Sequence, residues 1–161
     1  MLWGRPRFTA DVDVTARLEP TAVVEFVERM RGAGFTLRAD TSHGFVETTR
    51  VLPFLHTSTG WPLDVVLAGP GLEETFIARA VEFDLGDGVR VPVMCAEDVI
   101  VTKILAGRPK DIDDVRGILA ERRTTLDLEL VRRTLRMLEE ALSVGDLLPA
   151  FEAEAARLER R

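Results

Sequence analysis

Asp11 and Asp13 stand one residue apart in Arg7-Phe8-Thr9-Ala10-Asp11-Val12-Asp13-Val14-Thr15, a run whose composition otherwise predicts a β-strand. Side chains at i and i+2 of a strand share a face, so the two carboxylates lie side by side while Val12 and Val14 turn the other way, toward a core. Aspartate is disfavoured in strands and neighbouring carboxylates repel, so a pair held this way is best explained by a cation between them, and the natural one is Mg²⁺. For these two residues alone a plainer reading stays open: Asp11 and Asp13 belong, with Thr9 and Thr15, to the solvent-facing side of an amphipathic strand.

Asp64 has the same odd placement, in Trp61-Pro62-Leu63-Asp64-Val65-Val66-Leu67, where every residue after it is apolar. Burying an unpaired carboxylate is costly unless it is neutralised, hydrogen-bonded or bound to metal. If this strand pairs with the first, the ~4.8 Å spacing of neighbouring strands brings Asp64 within reach of Asp11 and Asp13, and three carboxylates converge. Mg²⁺ held by carboxylates, water and substrate phosphate can activate an attacking hydroxyl and stabilise departing pyrophosphate, which is the equipment of phosphoryl transfer.

The elements that must position these residues are legible in outline. Glu19-Pro20-Thr21 opens a helix with Val23, Val24, Phe26, Val27 and Met30 as its apolar face, and Gly32 and Gly34 stop it. Short strands are expected over residues 35–39, 45–50 and 51–56, with Ser42-His43-Gly44 as a turn and Pro53 marking an edge or irregularity. The clear strand over 63–67 precedes a short helix near 72–80 and a hairpin, 81–85 and 89–94, closed by Gly86-Asp87-Gly88. Four helices follow, starting at Ala96, Pro109, Leu126 and Val144.

At 161 residues and 46% hydrophobic content, the chain can fill one ordinary domain. No apolar run approaches the roughly 20 residues that span a bilayer, and a cytoplasmic location with no membrane partner is expected. The net charge of −6 argues against nonspecific coating of nucleic acid. One cysteine, Cys95, excludes an internal disulfide and reads as a small core residue, and with only His43 and His56 beside it a thiolate–imidazole zinc site is not supported. Neither histidine accompanies a recognisable nucleophile motif. Arg122, Arg123, Arg132, Arg133 and Arg136 interleave with glutamates and read as a solvated helical face.

Arg7-x-Thr9-x-Asp11-Val12-Asp13-Val14, the later Leu63-Asp64-Val65, and Glu97-Asp98 followed by Lys103 and Arg108-Pro109-Lys110-Asp111-Ile112-x-Asp114 together resemble the nucleotidyltransferase superfamily, with its polymerase β-like fold, and within it the AbiEii-type group that includes toxins of toxin–antitoxin systems. The resemblance implies an α+β fold with a mixed sheet, flanking helices and a helical C-terminal part, divided as residues 1–95 for the nucleotidyltransferase-like core and 96–161 for the helices packed on it as one unit. It implies Mg²⁺ as cofactor, a nucleoside triphosphate as substrate, and transfer of its nucleoside monophosphate to an acceptor hydroxyl on an RNA end, a protein or a small molecule, with an antitoxin protein as partner. By the same resemblance Asp11, Asp13 and Asp64 bind metal, Asp64 also acts on the incoming hydroxyl, and Arg7, Thr9, Lys103, Arg108 and Lys110 lie near the nucleotide. From the residues alone, Lys103 also fits a side chain that snorkels along its helix, and Lys110 with Asp114 fits a surface i,i+4 pair.

The superfamily pattern begins with a helix and a Gly-Gly or Gly-Ser turn ahead of the aspartate strand, and Leu2-Trp3-Gly4-Arg5-Pro6-Arg7 is similar to the tail of the segment after that turn. The expectation that follows is a second reading, a nucleotidyltransferase-like module that binds or regulates without catalysis. A third is a structural domain whose aspartates are surface residues.

Overall fold

The computed structural model describes residues 3–4, 11–38 and 43–159. They divide into two compact units, residues 11–78 in one and residues 3–4 with 79–159 in the other. The division falls between Ala78 and Arg79, so the hairpin expected over 81–94 belongs with the helices.

The first unit is a four-stranded mixed sheet with helices. Its strands are β1 (Val12–Ala16), β2 (Phe35–Leu37), β3 (Val51–His56) and β4 (Pro62–Leu67), in the order β1-β4-β3-β2. β1 runs parallel to β4, while β2, β3 and β4 form an antiparallel meander. The core is built where alternation puts it: Leu52, Phe54 and Val65 are buried, and Leu63, Leu67, Phe35, Leu37 and Ala16 pack against them from the same sheet face. Helix α1 (Val23–Gly32) closes that face with Val23, Phe26, Val27 and Met30, at helical spacing. Phe54 takes edge-to-face contacts from Phe26 and Phe35, at centroid distances of 6.1 and 6.5 Å, and its burial contributes about 2–3 kcal/mol.

Four expectations are corrected here. Residues 43–49 form a short helix, α2 (His43–Thr49), rather than a turn and strand. A helical turn lets Val46 pack on the core while the Thr49 hydroxyl donates to the Phe45 carbonyl at 2.8 Å. Val24 is exposed because only positions 23, 26, 27 and 30 share the inward stripe. Val12 and Val14 do have the parity of the core face, but they stay exposed: β1 is the outer strand, and the core reaches it only at Ala16. Pro53 sits in β3, an interior strand. Its carbonyl accepts from the Arg38 amide at 2.9 Å, so the missing N–H faces the end of β2, where only one ladder bond is lost.

After the short α3 (Leu72–Ala78), the second unit opens on a two-stranded hairpin, β5 (Val81–Asp84) and β6 (Arg90–Val93). Its turn holds Gly86, Asp87 and Gly88 at φ of 94°, 51° and 76°, three consecutive left-handed residues that explain the two glycines and the tolerated aspartate. Helices α4 (Ala96–Ala106), α5 (Pro109–Arg122), α6 (Leu128–Leu142) and α7 (Leu147–Glu159) follow. Ile100, Val101, Val115, Ile118, Val131, Leu135 and Phe151 are buried. Cys95 is buried at the start of α4, as expected of a core residue, and burial pushes its thiol up to about 12. The chain therefore adopts the α+β class expected from the sequence, and none of the described helices is long and apolar enough to cross a membrane.

Asp98 has a fully buried side chain in the first turn of α4, held by the Arg79 guanidinium through bonds of 3.0 and 2.5 Å. Burial raises the Asp98 carboxyl above its ordinary value, against the opposing pull of the Cys95 contact and of Arg79. Removing the cation alone strands a buried charge, so Arg79→Met is expected to lower stability by about 3–5 kcal/mol in urea unfolding, and adding Asp98→Asn should recover part of that loss.

Candidate carboxylate site

The first unit brings two of the expected carboxylates together. In the parallel pairing of β1 with β4, Asp13 lies directly in register with Asp64, between the core-facing pairs Val12–Leu63 and Val14–Val65. Both aspartates therefore occupy the sheet face opposite the core, on adjacent strands ~4.8 Å apart. Pro53 of β3 pairs with Asp64 on its other side, and Arg38, whose amide bonds Pro53, follows directly after β2. Asp13, Asp64, Pro53 and Arg38 thus form one row across the sheet.

The Arg38 guanidinium crosses that row and forms an ion pair with Asp64. Both side chains are partly open to solvent, at 41% for Arg38 and 29% for Asp64. Sequence reasoning missed Arg38. The available signal was its parity with Thr36, opposite to that of core-facing Phe35 and Leu37.

Asp11 precedes the first strand residue, so no ladder partner fixes it beside β4. Among the described residues no three Asp, Glu, His or Cys side chains lie close enough to share a metal ion. The convergence present is a pair rather than a trio. Mg²⁺ is commonly held by one or two carboxylates, with water and substrate phosphate completing its shell, and Asp13 with Asp64 matches that donor set. Arg7 and Thr9 lie outside the described residues.

The cationic candidates fall in the second unit, at the corner between α4 and α5. Gly107, at φ 62°, ends α4, and Pro109 starts α5 two residues later. The tight corner sets Lys103 against the next helix, where its ammonium reaches Asp111 at 2.8 Å and Asp114 at 3.0 Å. Arg108 adds a second cation to Asp111, whose side chain is fully buried. Lys103 therefore does more than snorkel: burial works to lower its ammonium, yet bonds to the two aspartates raise it overall. Asp114 pairs with Lys103 rather than with Lys110, and Lys110 is exposed. Similar logic holds α7, where buried Glu154 receives Arg116 at 2.7 and 3.0 Å and Arg157 at 2.9 Å. Arg132 bridges Glu129 and Glu152, so it belongs to an ion network.

The sequence model of a family described as nucleotidyltransferase of unknown function (DUF6036) matches residues 3–153, nearly the whole chain. No curated protein gave a significant match.

Asp111 gives the α4–α5 corner a pH signature. Burial pushes its carboxyl up, but hydrogen bonds and charge from Arg108 and Lys103 outweigh it and hold the group at about 2, below the ordinary 3.8. The folded chain thus binds this proton less readily than the unfolded chain. Its contribution is complete above pH 3.8 and is lost as pH falls through about 2. Urea midpoints measured between pH 7 and 2 should fall along this limb for the parent, and Asp111→Asn should be less stable at neutral pH with a flatter acid limb.

Proposed function

The chain belongs to this nucleotidyltransferase family, and on that premise we propose that it is a Mg²⁺-dependent enzyme transferring a nucleoside monophosphate from a nucleoside triphosphate to an acceptor hydroxyl. The observation that carries the reading is the register of Asp13 with Asp64, which sets two carboxylates side by side on one sheet face. Mg²⁺, when bound, supplies charge neutralisation on the triphosphate and favours ionisation of the acceptor hydroxyl.

The residues of the chain then have defined tasks. Asp13 and Asp64 would hold the ion from adjacent, directly paired strands of one sheet, so the reacting groups would meet a preorganised surface. In the proposed step the acceptor oxygen forms a bond to the α-phosphorus, the bond from that phosphorus to the bridging oxygen breaks, and pyrophosphate leaves. Asp64 takes the acceptor proton in this reading, which rests on the superfamily resemblance. Asp11 is proposed as a further ligand on the same ground, and Arg7, Thr9, Lys103, Arg108 and Lys110 as nucleotide-binding residues. The AbiEii-type resemblance supports a toxin of a toxin–antitoxin pair as the cellular setting, with an antitoxin protein as partner.

An inactive nucleotide-binding module has one observation in its favour, the neutralisation of Asp64 by Arg38. Transfer chemistry separates the two readings. Each of the four α-³²P-labelled nucleoside triphosphates is incubated with the chain, Mg²⁺ and total cellular RNA or protein, and labelled acceptors are resolved on denaturing gels. The parent is expected to label an acceptor, and Asp13→Asn or Asp64→Asn to do so on the order of a hundredfold less while retaining its fold by circular dichroism. A folded parent that binds Mg²⁺ and nucleotide yet labels nothing would favour the module.

A further inference from the structure

Arg38 and Asp64 stand two strands apart, roughly 9–10 Å of sheet width, a span that only a long side chain crosses. Pro53 between them presents a short ring and leaves the path open. The core dictates none of this, since Phe35 and Leu37 of the preceding strand face the other way. The chain thus places a long cationic side chain on a carboxylate that the proposed chemistry would use.

Resting on the reading of Asp13 and Asp64 as metal-binding carboxylates, we infer that Arg38 is a displaceable counter-ion. It neutralises Asp64 while no metal is bound, yields that carboxylate when a divalent cation binds, and then turns its guanidinium to a phosphate of the nucleoside triphosphate. A cation held by Asp64 repels the guanidinium that shared it, and the triphosphate is the anion brought to the same face. The planar guanidinium fork matches phosphate oxygens in two-point geometry, which an ammonium does not. Partial solvent exposure of both partners keeps the Arg38–Asp64 pair weak, so exchange of partners is not strongly opposed. Arg38 therefore acts against metal binding in the free chain and in favour of nucleotide binding in the loaded one.

Those two actions have opposite signs, which a purely structural role does not produce. Titration calorimetry at low ionic strength with Mn²⁺ alone, then with Mg²⁺ and a nonhydrolysable analogue of each nucleoside triphosphate, reads both on the full chain. Arg38→Met is expected to bind Mn²⁺ on the order of tenfold more tightly than the parent and the analogue on the order of tenfold more weakly. Arg38→Lys should fall between parent and Arg38→Met for each ligand, and thermal melts confirm that the variants are folded. Unchanged Mn²⁺ affinity in Arg38→Met, or both affinities moving in one direction, overturns the inference. If Asp64→Asn abolishes Mn²⁺ binding while Arg38→Met leaves it at the parental value, the role of Arg38 fails and the carboxylate site stands. If neither parent nor Arg38→Met binds Mn²⁺ or nucleotide, the nucleotidyltransferase reading fails and the inference with it.

Discussion

Side chains alternate along a strand with a period of two, so the pairing of Val12–Ala16 with Leu63–Leu67 decides at once which residues build the core and which carboxylates meet. A slip of one residue would move Asp13 to the core-side face beside Leu63 or Val65 and carry Ala16 away from the core it packs against. That error would lose the Ala16 contact with the core and put the two carboxylates on opposite faces of the sheet. The hydrophobic core and the carboxylate pair are therefore set by one register. Neither can be altered without disturbing the other, while the pairing of β2 with β3 fixes where Arg38 stands.

The helical unit uses charge differently. Asp98, Asp111 and Glu154 are buried carboxylates, each met by at least one arginine or lysine from another turn or another helix. Pairs of this kind contribute little net stability compared with well-packed apolar residues, yet each is expensive to break on one side. Their effect is to fix geometry: the segment entering α4 through Arg79, the α4–α5 corner through Lys103 and Arg108, and α7 against α5 through Arg116. A chain that folds with these charges misplaced pays several desolvation penalties together, so alternative helix packings are disfavoured.

Much of this was legible in sequence, for identifiable reasons. Asp13 and Asp64 stood out because a charge in an apolar strand contradicts its neighbours, and sheet spacing then said how they could meet. The helices from Ala96 onward announced themselves by caps and stops such as Gly107 followed by Pro109. What failed depended on tertiary context. Phe45–Thr49 has the β-branched and aromatic composition of a strand, yet it is helical, with Val46 packed on the core. The exposure of Val12 and Val14 follows from sheet order, which alternation does not encode. The Arg38–Asp64 pair requires knowing which strand lies two away. The partners of Lys103 require knowing how sharply the chain turns between α4 and α5.

The mixed pairing of the sheet also favours one order of assembly over others. β2, β3 and β4 are joined through nearby segments, and the β3–β4 link closes tightly, with the His56 amide donating to the Trp61 carbonyl at 2.9 Å. β1 instead meets β4 across about fifty residues of chain, in a parallel pairing that pays its loop-closure entropy before gaining contacts. The meander can therefore form first and β1 dock last, on an edge where Val12 and Val14 add little burial. Asp13 and Asp64 become neighbours only when β1 docks on β4. An emerging or partly unfolded chain holds the same residues but no pair, so any chemistry that depends on both aspartates is withheld until the sheet is complete.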